Sequence, residues 1–263
     1  MTTLCETFRQ QAFWTWRQLS NAHQYRAHLG EESLTDFNLL KIISHHSNVI
    51  ETTTFNKPQE GENGADWEWW LTNSDRNRWI GFRIQAKVIN VKRNKFEELH
   101  YKKKDGTYQV HRLCDQTLHL SYHCIPLYCL YTHWPLDPAV QLKWRCGSYA
   151  ETPESYGCSL VDAFHVRDSI KIANACDLTV LSNYMTPWHC LVCCRGWGGT
   201  DLPTRAFRVW QSIIRRPERQ GAYEFQVINE PPAHVRQLQE NRLTEPPDEY
   251  LRTITIFREE TPS

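Results

Sequence analysis

Residues 65–89 read ADWEWWLTNSDRNRWIGFRIQAKVI. Aromatic and β-branched side chains alternate with polar ones on both sides of TNSDRN, a run with the composition of a hairpin loop. The pattern predicts two antiparallel strands over residues 65–71 and 78–89. Side chains in a strand point to alternate faces, so Asp66 and Glu68 share one face of the first strand, and Gln85 and Lys87 share one face of the second. Closing the loop at TNSDRN makes paired residue numbers sum to about 149–151, which sets Asp66 opposite residues 83 to 85. A carboxylate, an amide oxygen and an ammonium are then expected on one patch. A one-residue slip in either strand would separate them.

The flanking sequence supplies helices on one side and a buried strand on the other. Leu4, Phe8, Ala12, Trp16 and Leu19 fit one face of a helix within residues 3–28, and Gly30 breaks the pattern. A second helix is expected over about 33–46, with Leu34, Phe37, Leu40 and Ile43 three apart and carboxylates in its first turn, where the positive helix end favours them. ETTTFNKPQEGENG (51–64) reads as a strand and a loop, Asp105-Gly106 as a turn, and 108–121 as a helix. CIPLYCLYTHW is a continuous apolar run of the kind found in strands covered on both faces. The order helix, strand, strand, strand, helix, strand over residues 30–135 predicts an α/β or α+β domain. Residues 1–29 form its helical lead, and 136–263 an extension that completes or flanks it. In that extension, 159–175 and 204–216 look helical, 187–194 strand-like, and TITIFRE (253–259) alternates as a late strand. Pro231-Pro232 and Pro246-Pro247 are linker candidates.

With 263 residues and 40% hydrophobic side chains, the chain can bury a substantial core. The absence of a long apolar run or a signal-peptide pattern predicts a soluble, intracellular protein with no membrane partner. Nucleophile-elbow and Gly-rich phosphate-loop motifs are missing, which excludes the common serine-hydrolase and nucleotide-binding readings. Ser33 and Thr35 read as local capping groups. Lys+Arg 30 balances Asp+Glu 30, but residues 76–112 hold eleven basic and three acidic side chains, a local balance of +8. Within it lie Lys92, Arg93, Lys95, Lys102, Lys103 and Lys104, a block suited to holding a polyanion or, alternatively, to forming a solvated loop.

The hairpin patch suits phosphodiester hydrolysis. A carboxylate and a carbonyl oxygen are hard ligands for Mg²⁺ or Mn²⁺, and a lysine beside them can orient water or stabilise the transition state. The order Glu32, GADWEWW around Asp66, then Gln85-Ala-Lys87 resembles the PD-(D/E)xK restriction-endonuclease-like superfamily, in its Gln-x-Lys variant. The resemblance covers residues 30–135 and implies a mixed central sheet flanked by helices. It also implies a metal-dependent endonuclease, a hydrolase acting on nucleic acid, double-stranded DNA first. The implied setting is cytoplasmic and the implied role bacterial genome (antiviral) defence, with a homo-oligomer compatible. Glu32 would be the helix carboxylate, Asp66 the central metal ligand, and Gln85 and Lys87 the third motif; Glu68 could supply the charge that Gln85 lacks. The rival reading is a non-catalytic module that binds nucleic acid or protein through the same hairpin.

Trp69 and Trp70 could stack on bases, with core packing the plainer role. The ten cysteines suggest buried reduced thiols. His189-Cys190-x-x-Cys193-Cys194 contains half of a zinc motif, with Cys146, Cys158 or Cys176 as partners. No second Cys-x-x-Cys follows and Leu191-Val192 reads as core strand, so structural zinc is not expected.

Overall fold

The structure is a computed structural model that describes residues 2–55, 67–102, 106–120, 122–135, 139–144, 146–150, 152–193, 198–214, 225–248 and 251–260. It is a mixed α/β fold built on a seven-stranded sheet. The strands are β1 (Ile50–Thr54), β2 (Trp67–Thr72), β3 (Trp79–Val88), β4 (Ile125–Tyr131), β5 (Cys158–Asp162), β6 (Thr186–Pro187) and β7 (Thr253–Arg258), in the spatial order β1-β7-β2-β3-β4-β5-β6. The β7–β2 and β3–β4 pairs are parallel, and the other neighbours are antiparallel.

The β2–β3 hairpin forms with paired numbers that sum to 151, from Trp67↔Ile84 to Thr72↔Trp79. That register puts Glu68, Trp70, Gly81, Arg83, Gln85 and Lys87 on one face of the sheet and Trp67, Trp69, Phe82 and Ile84 on the other. Gly81 sits under the Trp70 ring, where a Cβ would collide with the indole. β4 pairs with β3 in parallel and is buried along its whole length, as its unbroken apolar run predicts.

Helix α1 (Leu4–Gln24) starts with a capping box: the Glu6 backbone N–H donates to Thr3 Oγ1 at 3.2 Å, and the Thr3 N–H to Glu6 Oε2 at 2.8 Å. Its Phe8 is fully buried and meets Trp69 and Phe257 edge-on at 5.5 and 5.6 Å. The N-terminal helix is thus part of the main core. Gly157 presses so closely on α1 that a Cβ would overlap the Ala12 carbonyl oxygen.

Helix α2 (Glu31–His45) buries Leu34, Thr35, Asn38, Leu39 and Ile42, while Phe37 and Leu40 are exposed. The three-residue stripe read from the sequence therefore named the buried face only in part: Leu34 is buried and Ile43 packs half-buried against the core. A step of three drifts around a 3.6-residue helix, whereas 34, 38 and 42 stay aligned. Asn38 Nδ2 donates to Thr15 Oγ1 at 2.9 Å, tying α2 to α1. Helix α3 (Gln109–His119) falls where expected.

Two segments depart from the sequence reading. Residues 159–162 belong to β5, and within 159–175 only Ala163–Ser169 is helical (α4). Asp162 ends the strand and caps the helix, accepting from the His165 N–H at 3.0 Å. A short apolar run does not by itself distinguish a buried strand from a buried helix. Similarly, 187–194 contains the end of β6 and, after a turn at Trp188-His189, the helical turn α6 (Cys190–Cys193), which follows α5 (Leu178–Leu181) in chain order.

Further α-helices among the described residues are α7 (Leu202–Ile213) and α8 (Ala233–Gln239), the latter placing Val235 and Leu238 against Trp70, Ile254 and Ile256. Residues beyond 135 supply β5, β6 and β7, and β7 lies between β1 and β2. No helix among the described residues is long and apolar enough to cross a membrane.

Candidate active site

The first turn of α2 meets the end of β3. Gly30, the residue before the helix, offers no side-chain cap, so the helix end is left to its carboxylates. Glu31 reaches across to the strand. Its Oε2 accepts from Lys87 Nζ at 3.2 Å and its Oε1 from the Val88 backbone N–H at 3.3 Å. Thr35, one turn on, donates to the Glu31 carbonyl at 2.8 Å and shares a 2.7 Å hydrogen bond with the Tyr131 hydroxyl of β4. The helix start is therefore fastened to two strands by named polar bonds.

These elements enclose a cavity of about 120 Å³ lined by Glu31, Glu32, Asp36, Gln85, Lys87 and Gln109, among others. Gln85 is 1% exposed and Lys87 6% exposed. Across the mouth, Arg252 donates to both oxygens of Asp36 at 3.0 and 3.1 Å. Oxygen donors and a single ammonium thus share one small, mostly polar cavity. Glu32, Gln85 and Lys87 come together as the sequence suggests. Asp66 lies outside the described residues; its neighbour Trp67 lines the cavity.

Glu68 is placed elsewhere. It pairs with Arg83, one pleat step before Gln85 on the same face, and does not line the cavity. The side chain is fully buried and its oxygens are occupied: Trp70 Nε1 donates at 3.0 Å, the Tyr122 hydroxyl at 2.9 Å, and His234 Nε2 lies at 3.0 Å. Arg83 Nε stands 3.3 Å away and its guanidinium also bonds Asp248. Burial alone would push the Glu68 carboxyl up, but the His234 hydrogen bond and the Arg83 charge outweigh it and hold the group below the usual carboxylate range. Burial, with the Glu68 charge beside it, raises the Tyr122 phenol. The expected metal ligand is the centre of a buried ion and hydrogen-bond network.

Of the four described members of the basic block, three have local partners. Arg93 bonds Glu97, Lys95 Nζ lies 3.2 Å from Asp177, and Lys102 stands over the Tyr108 ring at 4.7 Å. Lys92 is exposed. Lys103 and Lys104 lie outside the described residues, as does Asp105 of the expected turn. Trp69 and Trp70 are fully buried, so they pack the core and offer no stacking surface.

Sequence reading missed Glu31, Asp36, Gln109 and Arg252. For Glu31 the signal was present, a second carboxylate in the same first turn. Arg252 lies 216 residues from Asp36, and no local pattern could connect them.

The fold and this cavity define an α/β protein with a polar, carboxylate-lined pocket at the junction of a helix and a sheet. The chain belongs to a family of unknown function (DUF6615), which matches residues 4–262. No curated protein matches it.

Proposed function

We propose that this pocket is the active site of a metal-dependent nuclease of the restriction-endonuclease-like type, acting on DNA. The observation that carries the reading is that Gln85 and Lys87 share one strand face and line a single cavity with Glu31 and Glu32 of α2. The succession α2, β1, β2, β3, α3, β4 follows the order of helices and strands read from the sequence over residues 30–135, the stretch that the resemblance covers. The donor set suits a hard divalent cation: Glu32 and the Gln85 carbonyl, with Asp66 by its place in the motif, supply oxygens. A bound Mg²⁺ or Mn²⁺ would make a water more acidic and neutralise charge developing on the phosphate.

The chain's own residues do the rest. Lys87 presents an ammonium that can orient water toward phosphorus or stabilise the charge developing there. Glu31 holds that ammonium at 3.2 Å, and its second oxygen, fixed by the Val88 N–H, keeps the carboxylate from turning away. The near-complete burial of Lys87 keeps bulk water from screening it. A cytoplasmic, reducing setting goes with the reading and suits a chain whose described cysteines are not joined in disulfides. Genome defence belongs to the same proposal.

Plasmid DNA incubated with Mg²⁺ or Mn²⁺ tests it. Cleavage is expected with metal, absent with chelator, and reduced about 10²–10³-fold by Lys87→Ala with DNA affinity retained. DNA held but never cut would make the fold a binding module. Cleavage undiminished by Lys87→Ala would move the active site elsewhere.

A further inference from the structure

We propose that Cys146, His189 and Cys190 bind a zinc-type metal ion that is separate from the nuclease pocket and anchors the loop preceding β5. The Sγ atoms of both cysteines and a ring nitrogen of His189 lie within 4.8 Å of one another. Donors around one tetrahedral Zn²⁺, bound at about 2.3 Å through sulfur and about 2.0 Å through nitrogen, stand ~3.4–3.8 Å apart. Side-chain adjustments of about an ångström therefore close the set.

The surroundings point to an ion. The His189 ring is fully buried, yet neither ring nitrogen has a hydrogen-bond partner among the described residues. Buried polar atoms are normally satisfied, and a metal bond would satisfy one nitrogen here. Both sulfurs also receive N–H groups. Trp144 Nε1 donates to Cys190 Sγ at 3.2 Å, and the Ser148 backbone N–H to Cys146 Sγ at 3.4 Å. N–H donors aimed at sulfur favour the thiolate and are typical outer supports of a metal site. Thiolates with imidazole select soft or borderline metals, zinc foremost, over Mg²⁺.

The topology gives the ion a structural task. Residues 139–150 carry neither helix nor strand among those described, whereas His189 and Cys190 lie two and three residues after the end of β6. One ion would fasten that irregular stretch to the sheet edge. Cys193, three residues after Cys190 on α6, has the spacing of half a structural zinc motif but is not part of this three-donor cluster, which leaves the fourth position to water or an exogenous ligand.

Metal analysis of untagged protein, dialysed against metal-free buffer, should find about one zinc per chain. An organomercurial added to the wild-type protein should release it to a colorimetric chelator. Cobalt(II) replacing the zinc should give visible tetrahedral bands and thiolate-to-cobalt charge transfer. Cys146→Ser and Cys190→Ser should lose the metal, while His189→Cys, which keeps three donors, should retain it with an altered cobalt spectrum. Protein that carries no zinc and shows no thiolate-to-cobalt band on titration overturns the site. So does zinc retained in full by folded Cys146→Ser and Cys190→Ser variants. These readouts use no DNA, so their outcome is independent of the nuclease reading.

Discussion

Replacing Glu68 by Gln separates two roles for this carboxylate, metal ligand and buried counter-ion. The substitution keeps size and shape but removes the charge that faces Arg83, itself 1% exposed. Asp248 then remains the named carboxylate bonded to the guanidinium. Breaking a buried ion pair from one side costs about 3–5 kcal/mol, because the surviving charge is left poorly compensated. The Gln carbonyl can still accept from Trp70 or Tyr122, which puts the expected loss near the lower end, about 3 kcal/mol. For a chain of this size that corresponds to a fall in Tm of roughly 6–12 °C.

Urea titration followed by tryptophan fluorescence measures the loss, and Mn²⁺ titration of the same variant should match the parent. The pH dependence has a definite sign. The folded-state value of Glu68 lies below its ordinary 4.5, so its contribution is present above that pH and fades as the pH falls toward the folded value. The gap between parent and variant should narrow in that acid range. A loss under about 1 kcal/mol would refute the buried-network argument. Full stability with abolished Mn²⁺ binding would return Glu68 to the metal site.

Two further outcomes follow from the packing and the surface charge. Gly157→Ala should lower stability by about 1–3 kcal/mol, since its Cβ would meet the rigid Ala12 carbonyl rather than a movable side chain; an unchanged urea midpoint would mean that the backbone relaxes freely there. If the protein holds DNA, neutralising Lys92 and Lys102 together should flatten the salt dependence of binding by about 0.9 in log–log slope for each phosphate no longer neutralised, whereas Arg93→Ala, already paired with Glu97, should leave it nearly unchanged. Equal slopes for all three proteins would remove this block from the binding surface.

The hairpin was legible in the sequence because its information is local. Period-two alternation on both sides of a polar loop determines which residues share a face, and loop length determines the register that joins Trp67 to Ile84. The same reasoning located α1, α3, α7, β4 and β7. What periodicity leaves open is how far along a face each partner packs, and only tertiary structure decided that. It brought Glu31 to Lys87, put Glu68 beside Arg83 and His234, and set β7 between β1 and β2. It also gathered Cys146 with His189 and Cys190, where the sequence offered half a zinc motif and three equivalent candidates. Such choices rest on meetings between residues tens to hundreds of positions apart, whose closure depends on the packing of every element between them. A side chain's type and face are written locally, and its partner is selected only when the whole core closes.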